Sequence, residues 1–134
     1  MQAGAQTKST DSLRHIIDTI ANEKEKLASI IMLVDYSLNP DTLLPYIAAA
    51  ETIAHRANDK FDIDRVAAAR ASYYIRKNHV DSALDIINTL IKKYKTDNSH
   101  QPYYLSLLFS KSKILDRANR YTEALTQLLS LIHI

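Results

Sequence analysis

Cysteine is absent from the 134 residues, which excludes disulfides and thiolate metal sites. Glycine occurs once, at Gly4, and proline three times, at Pro40, Pro45 and Pro102. From Thr7 onward no glycine can supply a positive φ angle. That argues against strand hairpins and predicts helices joined by tight polar turns. An excess of charge is missing too. With 17 basic and 15 acidic side chains the net charge is +2, which gives no sign of a nucleic-acid face. Lys92, Lys93 and Lys95 read as the solvated end of a helix, where cations are favoured. No apolar run reaches the roughly 20 residues of a membrane span. What is present is 46% hydrophobic, enough to bury a core in one domain or a short repeat array.

The stretch from Asp64 to Lys95 organises the rest. Two amphipathic segments flank a polar break at Lys77-Asn78-His79. Ala67, Ala71 and Ala83 are small where two helices must approach. Leu84, Ile87, Leu90 and Ile91 follow at helical spacing. The pattern predicts a helical hairpin, with Leu84 and Ile87 buried between its helices.

Taken in order, a first helix runs from Asp11 or Ser12 to about Asn22, with Leu13, Ile16, Ile17 and Ile20 on one face. A second runs from about Glu23 to Leu38, with Leu27, Ile30, Ile31, Val34 and Leu38 as its stripe. Asn39 can cap the next helix and Pro40 suits its first position. That third helix reaches about Ala57 with Leu43, Leu44, Ile47, Ala50, Ile53 and Ala54 inward. Pro45 would break a backbone bond in a helix begun at Pro40, so either the helix starts nearer Thr42 or its first turn is distorted. A fourth helix covers about 61–77 and a fifth about 80–94. A sixth, about 102–117, places Leu105, Leu108 and Leu115 inward. Asn119-Arg120 is expected to turn the chain into a seventh helix near Tyr121.

The ends carry readings of their own. Ala3-Gly4-Ala5 before Gln6 has the small-x-small form of a signal-peptidase site, so residues 1–10 read as a disordered tail or a signal-peptide remnant. Leu129-Ser130-Leu131-Ile132-His133-Ile134 resembles the translation of a sequencing-library transposase adapter. On that reading 129–134 are non-native, and the chain is a fragment of a longer protein.

Leu43, Ala83 and Ala124 stand 40 and 41 residues apart, each just after a predicted turn. The turns read SLNPDTLL, KNHVDSAL and ANRYTEAL, and the last two share the form N-x-[VY]-x-x-A-L. A period of this size marks a solenoid of helical hairpins. Asn119 to Leu125 resembles the turn of a tetratricopeptide repeat, roughly G-x-Y-x-x-A-L, and Tyr74, Asn78, Val80, Ala83 and Leu84 fit the same pattern one repeat earlier. The likeness covers nearly all of 23–128. It departs in its longer period, its lack of glycine, and Arg70 and Lys111 where a leucine is usual. HEAT-like hairpins, with a period of roughly 40–47, are the structural alternative.

Chemistry is not expected. His15, His55, His79 and His100 lack metal-ligand spacing. Neither a nucleophile elbow nor a phosphate loop is present. Asp62 and Asp64 suit a helix start, and the pairs Tyr73-Tyr74 and Tyr103-Tyr104 read as one packed and one surface ring each. The resemblance implies a groove lined by the first helix of each hairpin: Met32 and Asp35, then Arg65, Ser72 and Arg76, then Phe109, Lys113 and Arg117. Such a groove would bind a peptide or acidic segment through charge-assisted hydrogen bonds. The carboxylate clamp of chaperone-tail receptors is absent, because Ala68, Ser72 and Phe109 occupy its places.

The expectation is an all-α, right-handed α-solenoid of about three tetratricopeptide-like hairpins behind an N-terminal capping helix. Asp11-Ser12-Leu13-Arg14 and Asn39-Pro40-Asp41 resemble the sensor regions of Bacteroidota histidine kinases and transcriptional regulators. That implies a periplasmic protein-interaction or signal-input module with no enzymatic activity and no cofactor, and with self-association through its exposed C-terminal end. A cytoplasmic scaffold or assembly module is the alternative.

Overall fold

A computed structural model describes the backbone of residues 2–37 and 39–132, and the side chains of 11–37, 39–123, 125–126 and 128–130. Leu38, the last residues of the adapter-like tail and the side chains of residues 1–10 lie outside it. Every described element is helical: α1 Gln2–Thr19, α2 Glu23–Tyr36, α3 Leu44–Ala57, α4 Lys60–Arg76, α5 Val80–Tyr94 and α6 Gln101–Ile132. Three-ten turns at Pro40–Thr42 and Asn98–His100 lead into α3 and α6. The chain divides into two compact units, Met1–Asn78 and His79–Ile134.

The first unit is built from α1 to α4. α2 packs on α1, α3 and α4, and α3 packs on α4. Its core is one cluster that includes Ile17, Leu27, Ile30, Leu33, Val34, Leu43, Ile47, Ile53 and Val66. Polar side chains close the helix ends. Asn22 accepts from the Glu25 N–H at 3.0 Å, Asn39 from Asp41 at 3.0 Å and Asp59 from Asp62 at 3.1 Å, each satisfying a donor the helix leaves open. Pro40 starts a three-ten turn, the chain breaks helical continuity at Leu43, and Pro45 falls in the first turn of α3. The missing proline N–H costs nothing there, so the conflict between the two prolines is resolved by splitting the segment.

Asparagine takes the place of the absent glycines. Asn58 (φ 51°) follows α3 and Asn78 (φ 63°) follows α4, and these are the positive-φ residues among those described. The Asn58 N–H bonds the His55 carbonyl and the Asp59 N–H the Ala54 carbonyl. Asparagine enters this left-handed region more readily than other residues with a Cβ.

The second unit pairs α5 with α6. Ala83, Ile87, Leu90 and Tyr94 recur every three or four residues on α5 and are buried. They meet a face of α6 that includes the buried Leu107 and Ile114. At the connection the Tyr94 ring makes edge contacts with His100 at 5.8 Å and Tyr103 at 5.1 Å.

Four sequence expectations are corrected. The helices expected as one hairpin across 64–95 belong to different units; α5 is partnered by α6. Ile87 is accordingly buried while Leu84 is only half-buried. Leu105, Leu108 and Leu115 do not point inward: they are 62, 38 and 41% exposed, and Leu107 and Ile114, at 2 and 1%, take their place. This segment carries leucine or isoleucine on several sides, so periodicity alone could not choose the face. Finally, α6 runs without interruption through Asn119-Arg120. Neither residue is a helix breaker of the strength of proline or glycine, so nothing local forces a turn there.

Candidate functional site

The eight groove candidates separate by unit. Met32, Asp35, Arg65, Ser72 and Arg76 lie in the first, and Phe109, Lys113 and Arg117 in the second. Each set is shaped by its own neighbours.

In the first unit the cations are mostly held by partners. Arg76, in the last turn of α4, donates from Nη2 to the Asp35 carbonyl at 2.7 Å and from Nη1 to the Val34 carbonyl. It thereby closes the C-terminal end of α2, whose last carbonyls lack intrahelical partners. Burial lowers its pKa from the ordinary arginine value, with the Asp35 charge opposing. Lys77, one residue on, reaches Asp41 Oδ1 at 2.9 Å, and that hydrogen bond raises its pKa. Together they tie the end of α4 to both sides of the link between α2 and α3. Arg65 bonds Asp62 at 3.3 Å and lies 5.9 Å over the Phe61 ring. Met32 is exposed and Ser72 half-buried. Of these candidates, Asp35 and Arg76 are the ones shown in contact.

Arg70, the departure from the usual leucine, reaches across to α3. Its Nε donates to Glu51 Oε1 at 2.9 Å, with a second bond from Nη2, and the Glu51 hydrogen bond raises its pKa first among several causes. Arg56 pairs in the same way with Glu23. A cavity of about 320 Å³ lies beside that pair, lined in part by Ile20, Ala21, Lys26 and Thr52. None of the groove candidates lines it.

In the second unit Lys113 sits 4.9 Å over the Phe109 ring, a cation–π arrangement on the surface of α6. Arg117 is half-buried. The larger feature was not legible as a site in the sequence. At 1.5 Å per residue, α5 is about 22 Å long and α6 about 48 Å. The face that α5 covers through Leu107 and Ile114 continues at helical spacing into Tyr121, Leu125 and Leu128. There it is open: Leu125 and Leu128 are each 58% exposed. Leu129 beside them is exposed as well. The signal that could have located this face is the ratio of the two helix lengths, hidden because a turn was expected at Asn119.

Among the described residues no group of three His, Asp or Glu could hold a metal ion, and no helix is long and apolar enough to cross a membrane. No family model matches the chain, and neither a curated protein nor a solved structure matches it.

Proposed function

We propose that this chain is a helical protein-interaction module whose docking surface is the second half of α6. The observation that carries the reading is the continuation of the α5-binding face of α6 into exposed Leu125 and Leu128. Exposed apolar rows of this kind mark interaction sites. The partner that fits is an amphipathic helix with an apolar face like that of α5, laid along α6 in the helix-on-helix mode. Phe109 and Lys113 contribute an aromatic and a cation on another side of the same helix. Arg76 is engaged with the Val34 and Asp35 carbonyls, so on this reading it gives less to the groove implied by the tetratricopeptide resemblance.

The wider setting is part of the same proposal. A solenoid of tetratricopeptide-like hairpins serving as the input region of a longer bacterial sensor or regulator, in a periplasm, draws its support from sequence resemblance. The turn at Asn78 bears one of its two motifs; the other, at Asn119, lies within a helix.

The test uses a labelled synthetic peptide with the sequence of α5, Val80–Tyr94. Titration of the full chain, followed by fluorescence anisotropy, is expected to show saturable binding. The double change Leu125→Asp and Leu128→Asp should weaken it about tenfold or more, since each puts a charge where the bound peptide would cover a leucine. Equal binding by both chains, or none by either, removes the reading.

A further inference from the structure

The cavity beside Glu23 and Arg56 belongs wholly to the first unit. Its α3 wall is one stripe: Ala49, Thr52, Ile53 and Arg56 fall at the spacings that share a helix face. Glu23 and Lys26, three apart at the start of α2, line it from the other helix, and Ile20 lines it from the link between α1 and α2. Ile53 is buried, and Ile20 and Ala49 are half-buried, so part of the wall is apolar. The volume, about 320 Å³, stands at the small end of the range for ligand pockets.

The polar part of the wall is unbalanced. Glu23 is taken up by Arg56. Thr52 Oγ1 donates its proton to the Ala48 carbonyl at 3.0 Å, so that hydroxyl is spent as a donor. Lys26 is left over. The other half-buried cations described in the first unit all have partners: Arg14 donates to Thr42, Arg65 pairs with Asp62, Arg70 with Glu51, and Arg76 bonds the end of α2. Lys26 is half-buried too, yet among the described residues its ammonium has neither a hydrogen bond nor an ion pair. Two cations and one anion leave the cavity a net single positive charge beside an apolar wall.

We propose that this cavity binds a small organic monoanion, a carboxylate carried on a short apolar body. The carboxylate takes a charge-assisted hydrogen bond from Lys26, and the body covers Ile20, Ala49 and Ile53. A phosphate monoester fits less well. It carries close to two negative charges at neutral pH, against the single charge the wall leaves unmatched. The site uses no residue of α6 and does not rest on the proposed function.

The test titrates hexanoate into the isotope-labelled full chain, with hexanol as the uncharged control, and follows amide and methyl shifts by NMR. Saturable shifts are expected at Lys26, Ala49 and Ile53, with a dissociation constant on the order of 1 mM for so small a ligand. Hexanol should bind about fivefold more weakly or worse. Lys26→Met keeps an apolar stem and removes the charge. It should weaken hexanoate about fivefold and leave hexanol unchanged, which also shows that the cavity is intact. Lys26→Arg should keep most of the affinity, and Glu23→Gln, which releases Arg56, should tighten hexanoate about twofold or more. Absence of saturable shifts overturns the proposal, and so does equal binding of hexanoate by the native chain and Lys26→Met. Shifts at the exposed Lys24 and Lys60 as large as those in the cavity overturn it too, since they mark adventitious anion binding only.

Discussion

Arg76 donates a 2.7 Å hydrogen bond to the carbonyl of Asp35, 41 residues earlier in the chain. With its second bond to Val34, one guanidinium closes the end of α2 from the end of α4. Hydrogen bonds from a charged donor to partly buried carbonyls contribute about 1.5–3 kcal/mol each way they are removed. Arg76→Ala is therefore expected to lower the unfolding free energy by an amount in that range, read from urea denaturation. Arg76→Lys should recover less than half of the loss, because an ammonium cannot present two donors in a fixed fork. Full recovery by lysine would mean that charge alone matters at this position.

Asn78 should tolerate glycine and resist alanine. An L-residue with a Cβ costs about 1–2 kcal/mol in the left-handed region, a cost that glycine avoids. Thermal unfolding of Asn78→Ala is expected to show a loss of that order, while Asn78→Gly stays at or slightly above the native value. Equal losses for both would show that the asparagine side chain, rather than its φ angle, matters here.

Ile87→Ala should cost about 2–5 kcal/mol as a buried large-to-small change. Leu84, half-buried on the same helix, should cost clearly less. Denaturant midpoints of the two variants, compared at unchanged slope, check the orientation of α5 against α6. The reverse order would place the wrong face of α5 in the core.

The connection into α6 should weaken in acid. His100 Nδ1 lies 3.0 Å from Asp97 Oδ2, and this contact, first among the causes, lowers the Asp97 pKa from its ordinary 3.8. A carboxyl whose folded value is depressed adds stability that is present above the unfolded value and is lost as the pH falls through the folded one. The Asp97 carboxyl carbon, followed by NMR, is expected to titrate below 3.8 in the native chain and to move up towards it in His100→Ala. An unmoved midpoint in that variant would remove His100 as the cause.

What the sequence made legible was local. The Asn39 cap with Pro40 behind it, the bounds of α5 and the polar breaks at Asn58 and Asn78 follow from rules acting within a few residues, and they stand. Arg70 and Arg76 could not be placed by such rules, because Glu51 and Asp35 lie on other helices. The inward set of α6 was misread for a related reason: Leu105, Leu107, Leu108, Ile114 and Leu115 offer several faces, and only α5 selects among them. The turn expected at Asn119 was read from a motif that permits a turn without compelling one. For the candidate surface, residue types were visible in the sequence, but their exposure depends on where α5 stops.

The central claim is that the open face of α6 accepts an amphipathic helix. Its most direct test is a site-resolved one: amide shifts of the isotope-labelled full chain during titration with the Val80–Tyr94 peptide. The titration is made on the native chain and on the Leu125→Asp, Leu128→Asp double variant. The expected result is a continuous set of shifts at Tyr121, Leu125 and Leu128 in the native chain, lost in the double variant. Shifts confined to the stretch around Leu107 and Ile114 would mean that the peptide merely displaces α5. That outcome, or no shifts in either chain, would contradict the account.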